Sequence, residues 1–347
     1  MSVTISHIAK VAGVSKTTVS RVLNENGYVK EETKEKILKV IKELNYTPSA
    51  IARSLSTNKT NTIGVIVPDI MNPFFGEVIK GISEEADSHN LNIILFDTDD
   101  NIKKELKALK LLREQRIQGI IITPTSVEDE FNSEYLSALE SLGIPVVLVE
   151  GHVKYSNFSG VFMDNIKGAY QGTEALIKAG HKNIGIITGR MKTQSAKDRF
   201  IGYKKALAFH GLNLKEQYVF YGDYRQEGGY KFTKEMLKME ERPTAIFACS
   251  NLMTLGCIKA IYEEGLKIPE DIAVIGFDNL DMVNIIGMNI SYINGPAREI
   301  GVRSMKILID SLSNKAHKEI KKITLMPKLV LKGSEKYPKA KTKKGAK

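Results

Sequence analysis

Lys16, Thr17, Ser20 and Arg21 lie within one six-residue stretch. On a helix they share a face opposite Val19, Val22 and Leu23. Donors and small hydroxyls grouped this way suit the reading of base edges in a major groove, where a good side-chain pair discriminates by about 1–3 kcal/mol. A second group is spread along the chain: Asp69, Asn72, Phe74, Phe75, Glu150, Arg199, Asp223, Tyr224, Ser250, Asn251 and Asp278. Its carboxylates, amides and arginine supply paired acceptors and donors for hydroxyls, and its aromatics a face for the apolar side of a sugar ring. Each of these residues alone fits either a ligand contact or a structural cap. Asp164, in Met-Asp-Asn ahead of a helical stretch, reads as a cap rather than a ligand. There is no Gly-x-Ser-x-Gly elbow and no P-loop, and His7, His89, His152, His181, His210 and His317 are scattered without metal-ligand spacing. No enzyme activity, metal or cofactor is therefore expected.

The polar strip needs a scaffold. Ile5 to Gly13 reads as a short helix and Gly13-Val14 as a turn, and Ser15 as the N-cap of a second helix, its hydroxyl accepting the free amide near Thr18. Ala9 and Ala12 are small enough for the two helices to cross closely. A third helix, from about Glu31 to Leu44, is expected to bury Ile37, Leu38, Ile41 and Leu44. This pattern fits a helix-turn-helix or an ordinary three-helix bundle with a solvated face. From Thr62 the apolar runs TIGVIVP, NIILFD, GIIITP and VVLVE are separated by helical stretches near 74–90, 102–116 and 134–142. A second series follows: VFMD, NIGIIT, YVFYGD, AIFACS and DIAVIGFD. Such alternation implies parallel sheets in doubly wound lobes, one lobe per series, with a return to the first lobe near 291–320. Ligands of open α/β sheets bind beyond the carboxyl ends of the strands, where the second group sits.

Composition agrees. A chain of 347 residues with 42% hydrophobic and 26% charged residues is a globular protein of two or three domains. It has no apolar run of about 18 residues and no leader-like start, so neither a membrane span nor a signal peptide is expected. Cys249 and Cys257 read as small reduced core residues rather than a disulfide, which points to the cytoplasm. The net charge of +10 sits at the ends. Residues 1–61 hold ten Lys/Arg against five Asp/Glu, and 332–347 seven Lys against one Glu, leaving 62–331 close to neutral. Basic ends suit a polyphosphate partner. The plainer reading of the tail KGSEKYPKAKTKKGAK is a solvated, disordered terminus.

The segments VTISHIAKVAGVSKTTVSRVLNENGYV and LNYTPSAIARSLSTNKTNTIGVIVPDIMNPFF resemble the lactose/galactose-repressor (LacI/GalR) family of transcriptional regulators, and the resemblance runs from about Thr4 to about Leu331. His7 and Lys30 depart from it, standing where an acidic residue and a serine are usual at helix starts. The resemblance implies an all-α helix-turn-helix head at 1–46, a hinge helix and linker at 47–61, and a basic tail at 332–347. Between them, at 62–331, it implies a two-lobed, effector-binding and dimerising α/β sensor of periplasmic-binding-protein type. It also implies double-stranded operator DNA as partner, contacted by Thr4, Ser15, Lys16, Thr17, Thr18, Ser20, Arg21 and Asn24. Ser49, Ala52, Arg53 and Leu55 add hinge contacts. Thr47-Pro48 suits a helix start, and Ser49 to Leu55 is too short a helix to stand alone, so its order can depend on DNA. The family's use of Leu55 would be as a wedge in the minor groove; otherwise it is a buried linker leucine.

Effector contacts are implied by the resemblance at Asn72, Phe75, Arg199, Tyr224 and Asp278, to which the strand-end reading adds Phe74, Glu150 and Asn251. Glu150-Gly151, Ser250-Asn251 and Gly295 replace the usual Asp-Arg, Asn-Asp and Gln, so no named sugar carries over. Arg190, Lys192 and Lys197 could favour an acidic or phosphorylated sugar, or be solvated loop charges. The resulting expectation is a homodimeric repressor of carbohydrate-metabolism genes, controlled by a sugar or sugar derivative that changes the angle between the lobes. The alternative is a global regulator of the same family controlled by a phosphorylated partner protein. The lysine-rich tail lacks the leucine heptad through which some members tetramerise.

Overall fold

The computed structural model of the 347-residue chain describes residues 3–23, 26–46, 60–155, 157–280, 287–313 and 319–337, with positions 283 and 285. Asn24, the hinge positions Thr47, Pro48, Ser49, Ala52, Arg53 and Leu55, and the tail from 338 lie outside the described residues. The chain forms two compact units, Met1–Thr60 and Asn61–Lys347.

The first unit holds α1 (Ile5–Ala12), α2 (Lys16–Leu23) and α3 (Glu31–Glu43). Thr4 caps α1 by accepting from the His7 amide at 3.3 Å, and Gly13, at φ 64°, ends it in the left-handed conformation. Ser15 Oγ accepts from the Thr18 amide at 3.1 Å, the expected cap of α2. Lys30 provides no side-chain cap for α3. Ile8, Ala9, Ala12, Val19, Val22, Ile37 and Val40 form the core. Leu38, expected inside, is 47% exposed. Ile37, Val40, Ile41 and Leu44 already make the i, i+3, i+4, i+7 stripe, and Leu38 is turned about 100° away from Ile37.

In the second unit the first lobe runs β1 (Thr62–Val67), α4 (Pro73–Ser88), β2 (Asn92–Asp97), α5 (Ile102–Glu114), β3 (Ile120–Ile122), α6 (Glu130–Ser141), β4 (Val146–Val149) and β5 (Ser159–Met163). The second lobe takes α7 (Asn165–Lys178), β6 (Ile184–Thr188), α8 (Gln194–Phe209), β7 (Val219–Tyr221), α9 (Gln226–Leu237), β8 (Ala245–Ala248), α10 (Asn251–Glu263), β9 (Ala273–Phe277) and β10 (Ser291–Asn294). Then come α11 (Ala297–Ser313), β11 (Lys322–Leu325) and β12 (Lys328–Val330). The sheets are ordered β2-β1-β3-β4-β5-β11 and β7-β6-β8-β9-β10-β12. All pairings are parallel except that of β12 with β10. Helices cover both faces, so strands such as β4, β8 and β9 are buried along their whole length and read as continuous apolar runs.

Three expectations change. The VFMD strand was grouped with the second lobe, but β5 pairs with β4 in the first sheet; alternation counts strands without saying where the chain changes lobe, and it changes only after Met163. The segment 291–294 belongs to the second sheet, and the return to the first lobe is made by α11 and β11. The packed structure also continues past 331. Ser334 and Glu335 are buried, Ser334 Oγ donates to the Val274 carbonyl at 2.6 Å, and the Glu335 carboxylate accepts from the Ser291 hydroxyl. Residues 332–335 therefore pack against the amino-terminal ends of β9 and β10 rather than start a solvated tail.

Helices α4 and α11 approach backbone to backbone. A Cβ at Gly301 would lie 2.1 Å from the Val78 carbonyl oxygen, and one at Gly81 2.2 Å from that of Arg298. Overpacking such a contact costs about 1–3 kcal/mol. Gly301→Ala should lower the melting temperature of the chain, whereas Gly76→Ala, with nothing within 4 Å of its added Cβ, should not; thermal denaturation of both variants checks this.

Candidate functional site

On α2, Lys16, Thr17 and Arg21 are exposed and Ser20 is half-buried, on the side away from the buried Val19 and Val22. Thr4, Ser15 and Thr18 serve within the head as well, the Ser15 and Thr18 hydroxyls lying 2.8 Å apart. The polar strip foreseen from residue spacing is thus presented on a capped helix.

In the second unit one cleft takes residues from the carboxyl ends of both sheets. Each sheet reverses its strand order at its first strand, and a crevice opens at such a switch point. Pro68, Asp69, Thr123, Pro124, Glu150 and Gly151 line the cleft from the first lobe; Ser250 and Asp278 follow β8 and β9 in the second. Asn72, Phe74, Phe75, Glu150, Arg199, Tyr224 and Asp278, all expected from the sequence, are on the lining. Asn251 is buried away from it, and its Nδ2 donates to Asn72 Oδ1 at 3.1 Å, joining α10 to the first lobe.

Glu150, Tyr224 and Asp278 have φ of 53°, 67° and 67°. Non-glycine residues seldom adopt this left-handed region, at a cost on the order of 1–3 kcal/mol each, and such strain concentrates at functional sites. Glu150 Oε1 accepts from the Met163 amide at 2.5 Å and Oε2 from Asn165 Nδ2 at 3.0 Å. Asn165 Oδ1 accepts in turn from Arg199 Nε at 2.7 Å. Arg199 Nη1 donates to the Cys249 carbonyl at 2.6 Å and lies 3.9 Å from Asp278 Oδ2, with the guanidinium 3.6 Å from the centre of the Phe277 ring. Asp278 Oδ1 has no hydrogen-bond partner. Burial pushes Glu150 up to about 7, against the pull of Asn165 and Arg199, and Asp278 up to about 6 against that of Arg199. Asp164 is a cap, accepting from the Lys167 amide at 2.8 Å. Its neighbour Asn165 is the residue that sequence reasoning missed; its place directly after the lobe crossing was the available signal. Thr193 and Ser195 were missed too, and their hydroxyls lie 3.3 and 2.9 Å from the Tyr224 hydroxyl.

At the mouth, basic residues of the second lobe meet acids of the first. Arg190 lies 3.4 Å from Asp100, Lys192 Nζ donates to the Asp100 carbonyl at 3.2 Å, Lys197 pairs with Glu128 at 2.5 Å, and Arg225 pairs with Asp99. Arg190, Lys192 and Lys197 are therefore engaged between the lobes, not waiting for an acidic ligand. Cys249 and Cys257 are free and buried, and burial pushes both thiols up to about 12. Among the described residues no group of three or more His, Cys, Asp or Glu is placed to hold a metal, and no helix is long and apolar enough to cross a membrane.

Residues 60–335 match the family model of periplasmic binding proteins and the sugar binding domain of the LacI family, and residues 4–49 that of bacterial regulatory proteins of the lacI family. The chain belongs to the LacI family. Among LacI-family relatives, the HTH-type transcriptional repressor PurR of Pasteurella multocida is 35% identical over 334 residues, covering 96% of this chain and 98% of that protein. Catabolite control protein A of Priestia megaterium is 36% identical over 309 residues, covering 89% and 92%. The Lac repressor dimer bound to operator and the anti-inducer ONPF matches with a TM-score of 0.84 at 26% identity, over 97% of this chain and 100% of that one. The CelR–cellobiose complex matches with a TM-score of 0.72 at 26% identity, over 96% and 99%.

The raised pKa of Asp278 has a consequence for stability whose sign can be tested. A carboxyl whose folded value lies above its unfolded value favours folding at low pH, and that contribution is lost as pH rises from about 4 through about 6. Asp278→Asn removes the penalty of burying the anion, on the order of 1–3 kcal/mol. The melting temperature of the ligand-free variant relative to the parent should therefore climb between these pH values and level off above them.

Proposed function

We propose that this LacI-family regulator is a cytoplasmic homodimer that represses carbohydrate-metabolism genes by binding double-stranded operator DNA, and that a small sugar or sugar derivative in the sensor cleft controls it. The observation that carries this reading is the cleft itself: carboxylate, amide and aromatic side chains from both lobes converge there, on a chain whose residues 4–49 match the head of bacterial regulators. The Lac repressor bound to operator and CelR bound to cellobiose support both halves of it. In this reading Lys16, Thr17, Ser20 and Arg21 read base edges, Thr4, Ser15, Thr18 and Asn24 meet the backbone or flanking bases, and Ser49, Ala52, Arg53 and Leu55 engage the minor groove. A regulator answering only to a phosphorylated partner protein has no use for an unpartnered carboxylate oxygen in a cleft, which favours the small-molecule form of control.

Selection of duplexes from a random pool, followed by anisotropy titration at one salt concentration, tests the DNA half. Arg21→Ala should weaken binding to the selected site about 10- to 100-fold and affect random DNA less. Equal losses on both would make Arg21 a phosphate contact. Titrating the operator complex with a metabolite panel tests the other half: a sugar-like compound should change operator affinity, and a panel without effect would refute small-molecule control.

A further inference from the structure

The cleft lining holds five carboxylates, those of Asp69, Asp100, Glu150, Asp223 and Asp278, against the single guanidinium of Arg199. Two of the Arg199 nitrogens, Nε and Nη1, already donate to Asn165 and to the Cys249 carbonyl, and the guanidinium faces Asp278. Polar groups beside it are engaged as well: the Tyr224 hydroxyl lies between Ser195 and Thr193, and Gln194 Nε2 donates to Asp198 at 2.8 Å. The bases at the mouth, Arg190, Lys192 and Arg225, are drawn to Asp99 and Asp100.

What the cleft leaves over is an acceptor. Asp278 is 7% exposed and its Oδ1 has no hydrogen-bond partner. Gly295 stands beside it, where even a Cβ would come within 2.9 Å of that oxygen. A buried carboxylate oxygen without a donor is costly, and a charged N–H donor relieves that cost more than a neutral hydroxyl does. Phe74 and Phe75, on the same lining, pack edge to face with ring centres 5.2 Å apart and give that wall an apolar surface for a ring to rest on. An anionic ligand would instead face the carboxylates of Asp69, Asp223 and Asp278 on the same lining.

We infer, resting on the effector reading above, that the cleft is selective for a sugar-sized ring bearing a protonated amine, held by Asp278, and that it rejects phosphorylated and acidic sugars. Isothermal titration of the full-length protein near neutral pH tests this with glucosamine, galactosamine and mannosamine, each beside its parent hexose and its hexose 6-phosphate. At least one hexosamine should bind about tenfold or more tightly than its parent, and the matching 6-phosphate more weakly than either. Asp278→Asn keeps a side chain that tolerates φ 67°, and its ligand-free melting curve reports that it folds. This variant should reduce the preference for the amine to roughly threefold or less. A parent hexose or 6-phosphate binding as well as the amine overturns the inference and leaves small-molecule control standing. So does a response to other metabolites with silence from every hexosamine. An amine preference that survives in Asp278→Asn overturns the role of Asp278. If no metabolite binds or alters operator affinity, the effector reading itself fails and the inference with it.

Discussion

Arg199 sits in a buried row of polar groups that neither lobe completes by itself. Asn165 and the Cys249 carbonyl accept from it, Asp278 faces it, and Asn165 passes the connection on to Glu150. Glu150 follows β4 of the first sheet, whereas Cys249 and Asp278 follow strands of the second. Taking an ion out of water costs several kcal/mol unless partners replace the lost hydration. Separating the lobes would leave the Glu150 carboxylate without Asn165 and Arg199, so lobe placement is bound to the satisfaction of a few buried atoms and not to apolar area alone. The Asn72–Asn251 bond adds a second inner tie. The ion pairs at the mouth are more exposed and solvent-screened, so they hold the lobes far less firmly.

This arrangement sets how the sensor can respond. In the proposed binding mode a ligand donor reaching Asp278 would act on a carboxylate that already faces Arg199, so binding and the interlobe row would share atoms. Within the lobes there is little room to yield. The helix pairs α4–α11 and α9–α10 meet through Gly81, Gly301, Gly229 and Gly256, where an added Cβ would fall between 2.1 and 2.2 Å from a partner carbonyl oxygen. Close-packed interiors transmit displacement instead of absorbing it. If a ligand changes the lobe angle as proposed, the change would be taken up where the chain passes between lobes: after Met163, between β10 and α11, and between β11 and β12.

Much of this was legible in the chain before any fold was known. The Thr4 and Ser15 caps, the exposed strip on α2 and the apolar strand runs are carried by residues a few positions apart, and local spacing is enough to find them. The strand-end rule located most of the cleft lining, because parallel sheets direct their carboxyl ends to one side. Leu38 was misplaced by one position on a helix whose stripe was otherwise correct, and the VFMD strand was assigned to the wrong sheet because periodicity says nothing about which neighbour a strand pairs with.

The sequence alone determined the elements, their caps, the family and the kinds of side chain gathered at the strand ends, since these depend on near neighbours and on continuous segments. Only the tertiary structure decided which of those side chains are already engaged. Asn251 is joined to Asn72 across a separation of 179 residues, and Arg225 to Asp99 across 126. Arg190, Lys192 and Lys197 face the first lobe, Asn165 links Glu150 to Arg199, and Asp278 is left with an oxygen to offer. Partner choice of this kind follows from distances and burial between residues far apart in the chain, and neither residue type nor spacing encodes them.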